Sequence, residues 1–168
     1  MLRAAVITVS DSCFQGRRKD LSGPAVAELL QKGGWKVALT RILADDQGVI
    51  AATLRELSAQ GLEAVFTTGG TGISPRDVTP EATRKVITRE IPGLAEQMRM
   101  AGTKDTPTAI LSRAVAGVCG ETLVINLPGS PQGAADSLRS ILPVLPHAVD
   151  LIRGKGGHSH AKQGSAEN

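Results

Sequence analysis

Residues 67–83 read TTGGTGISPRDVTPEAT, placing Gly69, Gly70 and Gly72, two prolines and Asp77 between an apolar run and the start of a helix. Glycines that follow a strand expose backbone N–H groups, and such groups beside a helix start favour an anion. The stretch is no P-loop, because no Gly-Lys-Ser/Thr follows, and no dinucleotide fingerprint, because Pro75 stands where the third glycine belongs. Asp77 conflicts with simple anion binding: a carboxylate about 4 Å from a phosphate oxygen repels it by roughly 4 kcal/mol at an effective dielectric near 20. A hard divalent cation removes the conflict, since Mg²⁺ is held by one or two carboxylates plus substrate phosphates. Arg76 supplies a further positive charge. The alternative is that Asp77 caps a turn before Thr79.

Three other polar loops follow apolar runs: Ser10, Asp11 and Ser12; Asp45 and Asp46; and PGSP, Pro128 to Pro131. Each could be an ordinary turn built from turn-forming residues. One of the paired aspartates reads as the N-cap of a helix starting near Gln47, leaving the other for a metal or substrate. Ser130 reads equally as the N-cap of the next helix or as a ligand contact.

Such loops converge only if a scaffold carries them to one edge. AAVITV (4–9), KVALTRIL (36–43), AVFTT (64–68) and TLVIN (122–126) read as strands. Between them, SGPAVAELLQKGG reads as a helix capped by Ser22 or Gly23, with Pro24 in its first turn. QGVIAATLRELSAQG places Ile50, Leu54 and Leu57 on one helical face. A helix is expected from about Pro80 with Thr79 as N-cap, and short helices over PGLAEQMRMAG, TPTAILSRAV and QGAADSLRSIL. A last helical piece at 144–153 is expected to be interrupted at Pro146. Strands alternating with helices imply right-handed crossovers, hence an α/β domain with a doubly wound, mostly parallel sheet and helices on both faces. Ligands of such sheets bind beyond the carboxyl ends of the strands, where the four loops fall.

A chain of 168 residues fits one domain and buries about 70% of its unfolded surface. Hydrophobic residues make up 41% and aromatics 2%, so the core rests on Val, Ile, Leu and Ala, and platforms for stacking nucleic-acid bases are not expected. The net charge of +3 is scattered apart from Arg17, Arg18 and Lys19, a weak nucleic-acid footprint. Cys13 and Cys119 lack metal-site spacing and read as free thiols. No apolar run approaches the roughly 18 residues of a membrane span, and no secretory segment is evident, so a cytoplasmic location is expected. Residues 154–168, with His158 and His160, read as a flexible tail after a domain at 1–153.

TTGGTGISPRDVTPEAT, together with TVSDS, DLSGP (20–24), AILSRAVAG (109–117) and VINLPGSP (124–131), resembles the MogA/MoaB family of molybdenum cofactor biosynthesis, to which the gephyrin G domain is related. The resemblance runs in order from about residue 3 to 153. It implies a three-layer α/β/α fold, a homotrimer and molybdopterin binding. It also implies Mg²⁺-dependent transfer of AMP from ATP to the terminal phosphate of molybdopterin, with possible hand-over of the product to a molybdate-inserting enzyme. PRDVTPE looks like the adenylyltransferase version, while a non-catalytic, MoaB-like binding protein is the alternative. By motif matching, Asp45 and Asp77 correspond to the family's functional aspartates. Ser10, Asp11, Gly69, Gly70, Thr71, Gly72, Ser74 and Arg76, with Ser112, Arg113, Pro128, Gly129 and Ser130, fall to the nucleotide and pterin sites. GVCGE (117–121) lacks the basic residue many relatives carry there, so no phosphate contact is expected from it. No catalytic nucleophile is implied, and Cys13 is a bystander.

Overall fold

The computed structural model describes residues 1–155; nearly all of the expected tail, with His158 and His160, lies outside the described residues. In chain order the elements are β1 (Arg3–Val9), α1 (Asp11–Phe14), α2 (Ser22–Lys32), β2 (Lys36–Leu43), α3 (Gln47–Ala59), β3 (Ala64–Thr68), α4 (Thr79–Arg84) and β4 (Arg89–Glu90). They continue with α5 (Pro92–Gly102), β5 (Ala116–Cys119), β6 (Thr122–Leu127), α6 (Pro131–Ile141) and α7 (Leu145–Ile152). The sheet order is β2-β1-β3-β6-β5-β4. The first four are parallel neighbours, while β5 and β4 add antiparallel pairings at one edge.

Period-two alternation divides the core. Ala4, Val6, Phe66, Leu123 and Ile125 face a layer containing Val26, Leu30, Met98, Leu138 and Val149 from α2, α5, α6 and α7. Ala5, Ile7, Val65 and Val124 face Ile50, Leu54, Leu57 and Ala82 from α3 and α4. Both faces are covered, which is why β1, β3 and β6 are buried almost throughout and read as continuous apolar runs. The edge strand β2 instead alternates between exposed and half-buried positions.

Several local expectations require correction. Thr79 is the first residue of α4 rather than its cap, and its hydroxyl donates to the Gly69 carbonyl at 2.9 Å. Ser22 and Gly23 lie inside α2, where Asp20 supplies the capping carboxylate to the Gly23 N–H at 3.0 Å. TPTAILSRAV forms a 3-10 turn over Pro107–Leu111 followed by extended chain, not a helix. Pro146 sits in the first turn of α7, where its missing N–H costs nothing, so it starts that helix instead of breaking it. The short strands β4 and β5 were not expected. β5 and β6 form a hairpin whose two-residue loop opens with Gly120 at positive φ, as a type II′ turn allows. That hairpin turn lies at the amino-terminal end of β6, so GVCGE is remote from the loops at the strands' carboxyl ends.

Candidate active site

The order of the strands switches sense between the parallel neighbours β1 and β3, from which connections run outward in opposite directions across the sheet. Ligands in open α/β sheets bind at such a point. The loops after β1 and β3 touch there: a Cβ built on Gly69 would lie 2.3 Å from the Val9 carbonyl oxygen. Gly69 and Gly70 also have φ of +91° and +66°, and a Cβ on Gly70 would lie 2.3 Å from the Thr79 hydroxyl, so no other residue fits at either position without moving the β1 end or Thr79.

The glycine loop has a defined polarity. The carbonyls of Gly69 and Gly70 accept from the Thr79 hydroxyl and N–H, at 2.9 and 3.1 Å. Those of Thr71 and Gly72 accept from the Arg113 N–H and Nε, at 2.8 and 2.7 Å. Among the described residues, no acceptor serves the N–H groups of Gly70, Thr71, Gly72 or Ile73. Four successive carbonyls are thus tied back, and four successive N–H groups are left over.

Two cavities meet at this loop. One, of about 520 Å³, is lined by Thr71, Gly72, Ser112 and Pro128, with apolar walls from Met98 and Leu111. The other, of about 380 Å³, is polar and is lined by Ser10, Asp45, Gly69 and Thr68. Gly70, Asp77, Gly129 and Ser130 line both, forming the wall between them. Ser130 caps α6 by accepting the Gly133 N–H at 3.1 Å, so its structural and site positions coincide.

The two aspartates singled out by sequence converge. Asp46 caps α3 through the Val49 N–H, which leaves Asp45 as the spare carboxylate. Asp45 Oδ2 accepts the Asp11 N–H at 2.9 Å, and Asp77 Oδ2 accepts the Ser74 N–H at 2.9 Å. Asp77 therefore does close a turn, though backwards onto Ser74 rather than forwards onto α4. Among the described residues, no donor reaches the second oxygen of either aspartate, and Asp45 Oδ1 lies 3.3 Å from a Cβ built on Gly70. Burial pushes the Asp45 carboxyl above its ordinary value, opposed by the Asp11 N–H and the Arg76 charge and reinforced by the charges of Asp11 and Asp77.

Asp11, Ser74, Arg76 and Arg113 were expected at the ligand but line neither cavity. Asp11 Oδ1 accepts the Asp45 N–H at 2.9 Å, and its Oδ2 accepts Arg76 Nε at 3.1 Å. The hydrogen bond from the Arg76 guanidinium holds the Asp11 carboxyl below its usual range. Ser74 anchors the Asp77 turn, and Arg113 braces the glycine loop from behind.

Sequence reasoning overlooked the far wall of the polar cavity, formed by Thr8, Arg18, Lys19, Asp20 and Ser22. Asp20 accepts the Thr8 hydroxyl at 2.7 Å, and Ser22 pairs with Thr68 at 2.8 Å. The available signal was the basic run RRK immediately before DLSGP.

The donor set suits Mg²⁺ bound together with a substrate. Two carboxylates, each with one oxygen free, meet the usual protein share of such a site, and phosphate oxygens complete it. Among the described residues, no group of three or more His, Cys, Asp or Glu is arranged to hold a metal ion, so a site closed by protein ligands alone is not present there.

Comparison with known proteins agrees with this architecture. Residues 5–147 match the family described as "Probable molybdopterin binding domain". A molybdopterin adenylyltransferase of Helicobacter pylori is 40% identical over 156 residues, covering 91% of this chain and 89% of that one. The molybdenum cofactor synthesis protein cinnamon of Drosophila melanogaster is 41% identical over 152 residues, covering 88% of this chain, which spans only 25% of that longer protein. Among solved structures, the molybdopterin biosynthesis enzyme MoaB of Thermus thermophilus superposes with a TM-score of 0.87 at 51% identity, covering 92% of this chain and 98% of that one. The motifs, the fold and these matches agree: the chain belongs to the molybdopterin-binding domain family that includes the MogA and MoaB proteins.

Proposed function

We propose that the chain is a molybdopterin adenylyltransferase of molybdenum cofactor biosynthesis, transferring AMP from ATP to the terminal phosphate of molybdopterin with release of pyrophosphate. One observation carries this reading: four unpaired N–H groups and two half-free carboxylates line two cavities that meet at the glycine loop, with Gly70 and Asp77 on the wall common to both. Neither feature alone suits a nucleotide polyphosphate. Together they provide anion donors and a place for the cation that the anion brings.

In this reading an oxygen of the molybdopterin phosphate attacks the α-phosphorus of ATP in line. The new P–O bond forms as the bond to the β-phosphate oxygen breaks, and the electron pair leaves with pyrophosphate. The attacking phosphate is already ionised near neutral pH, so no strong base is needed; positioning and charge neutralisation supply most of the acceleration. The N–H groups of residues 70–73 hold phosphate oxygens, and Asp45 and Asp77 are the residues that would hold Mg²⁺. Bound there, Mg²⁺ supplies neutralisation of the charge on the phosphates. Ser10, Ser112 and the Pro128–Ser130 loop orient the two substrates. Arg18 and Lys19 add positive charge at the polar cavity.

Cysteines 13 and 119 are unbridged, which suits the reducing cytoplasm proposed as the location. A homotrimer, which the family resemblance implies, is part of the proposal. Hand-over of the adenylylated product to a molybdate-inserting enzyme completes the proposal.

The alternative is a MoaB-like protein that holds molybdopterin without adenylylating it. Pyrophosphate release from ATP separates the two. The transferase releases it only when molybdopterin and Mg²⁺ are both present; a binding protein releases none.

A further inference from the structure

The polarity of the glycine loop is imposed from outside it. In a planar trans peptide the carbonyl of one residue and the N–H of the next point in opposite directions, so anchoring one carbonyl aims the following N–H the other way. Thr79 anchors the carbonyls of Gly69 and Gly70 and thereby aims the N–H groups of Gly70 and Thr71. Arg113 anchors those of Thr71 and Gly72, and thereby aims the N–H groups of Gly72 and Ile73.

The Arg113 guanidinium has little left for a ligand. Its Nε reaches the Gly72 carbonyl at 2.7 Å, Nη2 reaches the Asp77 carbonyl at 2.8 Å, and Nη1 pairs with Glu81. The two carbonyls it grips bracket residues 73–76, so one side chain fixes both ends of the excursion that carries Ser74 and Arg76. It also fixes the backbone from which the Asp77 carboxylate projects. Glu81, on the first turn of α4, supplies the opposing charge that orients the fork. A planar fork can hold two carbonyls and a carboxylate at once; a lysine ammonium at the same place cannot.

We propose that Arg113, with Glu81 as its counter-ion, is a positioning residue that turns the glycine loop into a phosphate cradle without touching the phosphate. The proposal rests on the reading of that loop as an anion site given above. It assigns the arginine of AILSRAV to the back of the site, where its positive charge is already answered by Glu81.

The test uses the full chain, ¹⁵N-labelled and titrated with inorganic pyrophosphate, with affinity and the amide shifts of residues 70–73 as readouts. Slow amide exchange at Phe66 and Ile125 reports that each variant is folded. The wild type is expected to bind with shifts centred on those four amides. Arg113→Lys, which keeps the charge and the backbone N–H, is expected to weaken binding by about tenfold, the loss of charge-assisted hydrogen bonds that orient the loop, and to scatter the shifts. Glu81→Gln is expected to weaken it in the same direction, although it removes a negative charge near an anion. Wild-type binding by Arg113→Lys, or tighter binding by Glu81→Gln, would show a charge acting on the ligand and overturn the proposal. Arg113→Gln is expected to match Arg113→Lys; should it fail to fold, the lysine and Glu81 variants decide. A wild-type chain that does not bind pyrophosphate overturns the cradle itself, and this proposal with it.

Discussion

Asp11 and Asp45 hold each other by two hydrogen bonds of 2.9 Å, each donating its backbone N–H to the other's carboxylate across the ends of β1 and β2. The ring fixes Asp45 with one oxygen committed and the other facing the glycine loop. Because burial raises the Asp45 carboxyl, ionising it in the folded chain is costly. A raised folded value means that its contribution to stability is full below the ordinary aspartate range and is lost as pH rises through the raised value. Asp45→Asn is therefore expected to melt at the same temperature as the wild type or higher near neutral pH, the difference vanishing in acid. Its AMP transfer is expected to fall by a factor on the order of a hundred. Thermal melts at several pH values and turnover assays check the pair of outcomes; a variant that melts lower and transfers AMP normally contradicts both.

Asp77 uses one oxygen to close the turn onto Ser74 and leaves the other on the wall common to both cavities. Asp77→Ala is expected to abolish AMP transfer while leaving molybdopterin binding largely intact, measured by turnover and by equilibrium binding. Equal loss of both would assign Asp77 to the loop's structure alone.

Asn126 is fully buried on β6 and joins three elements. Its amide donates to the hydroxyls of Thr67 and Thr83, at 3.0 and 2.8 Å, and its Oδ1 accepts the Val115 N–H at 3.1 Å. Asn126→Ala strands those partners in a dry interior. A loss of about 2–3 kcal/mol in unfolding free energy is expected by denaturant titration, since each orphaned group carries its desolvation penalty. A loss below about 0.5 kcal/mol, the range of an ordinary surface substitution, would mean that the knot holds nothing together.

At the other end of the sheet, Glu63 accepts the Arg3 N–H at 2.8 Å and pairs with Arg153 just after α7. Burial pushes its carboxyl up, but the Arg3 hydrogen bond and the charges of Arg153 and Arg3 outweigh that and hold it below its ordinary value. A depressed folded value gives stability that is present above the ordinary glutamate range and is lost as pH falls through the depressed value. Glu63→Gln is thus expected to flatten the stability profile as pH falls through and below the ordinary glutamate range, in line with linkage. Stability profiles of the two proteins with the same acid slope would remove Glu63 from the account.

Much of this site was legible in the sequence because its chemistry and its backbone requirements coincide. A glycine stretch after an all-buried strand could be recognised, and two consecutive aspartates at a helix start left one unassigned, which the structure identifies as Asp45. Sequence spacing cannot show which side of a loop a guanidinium approaches, so it did not reveal that Arg113 grips the Gly72 and Asp77 carbonyls. The partners of Asp11 were hidden for a related reason: Asp45 and Arg76 are 34 and 65 residues away. The wall containing Arg18, Lys19 and Asp20 was overlooked because a basic run in a loop carries no periodicity. In the fold, the parallel core announced itself through continuous β-branched runs. β4 has two residues and β5 four, each too short for an alternating pattern to emerge. Thr79 looked like a helix cap because its hydroxyl suits that role, but the Gly69 carbonyl claims that hydroxyl.

The most direct test follows the fate of the α-phosphorus. ATP labelled at that atom is mixed with excess chain, molybdopterin and Mg²⁺ for a single turnover. The account predicts that the label moves onto molybdopterin as its AMP adduct, with one pyrophosphate released per transfer, and that omitting either molybdopterin or Mg²⁺ stops both. Label that stays in ATP while molybdopterin is bound would contradict it and leave a binding protein in place of an enzyme.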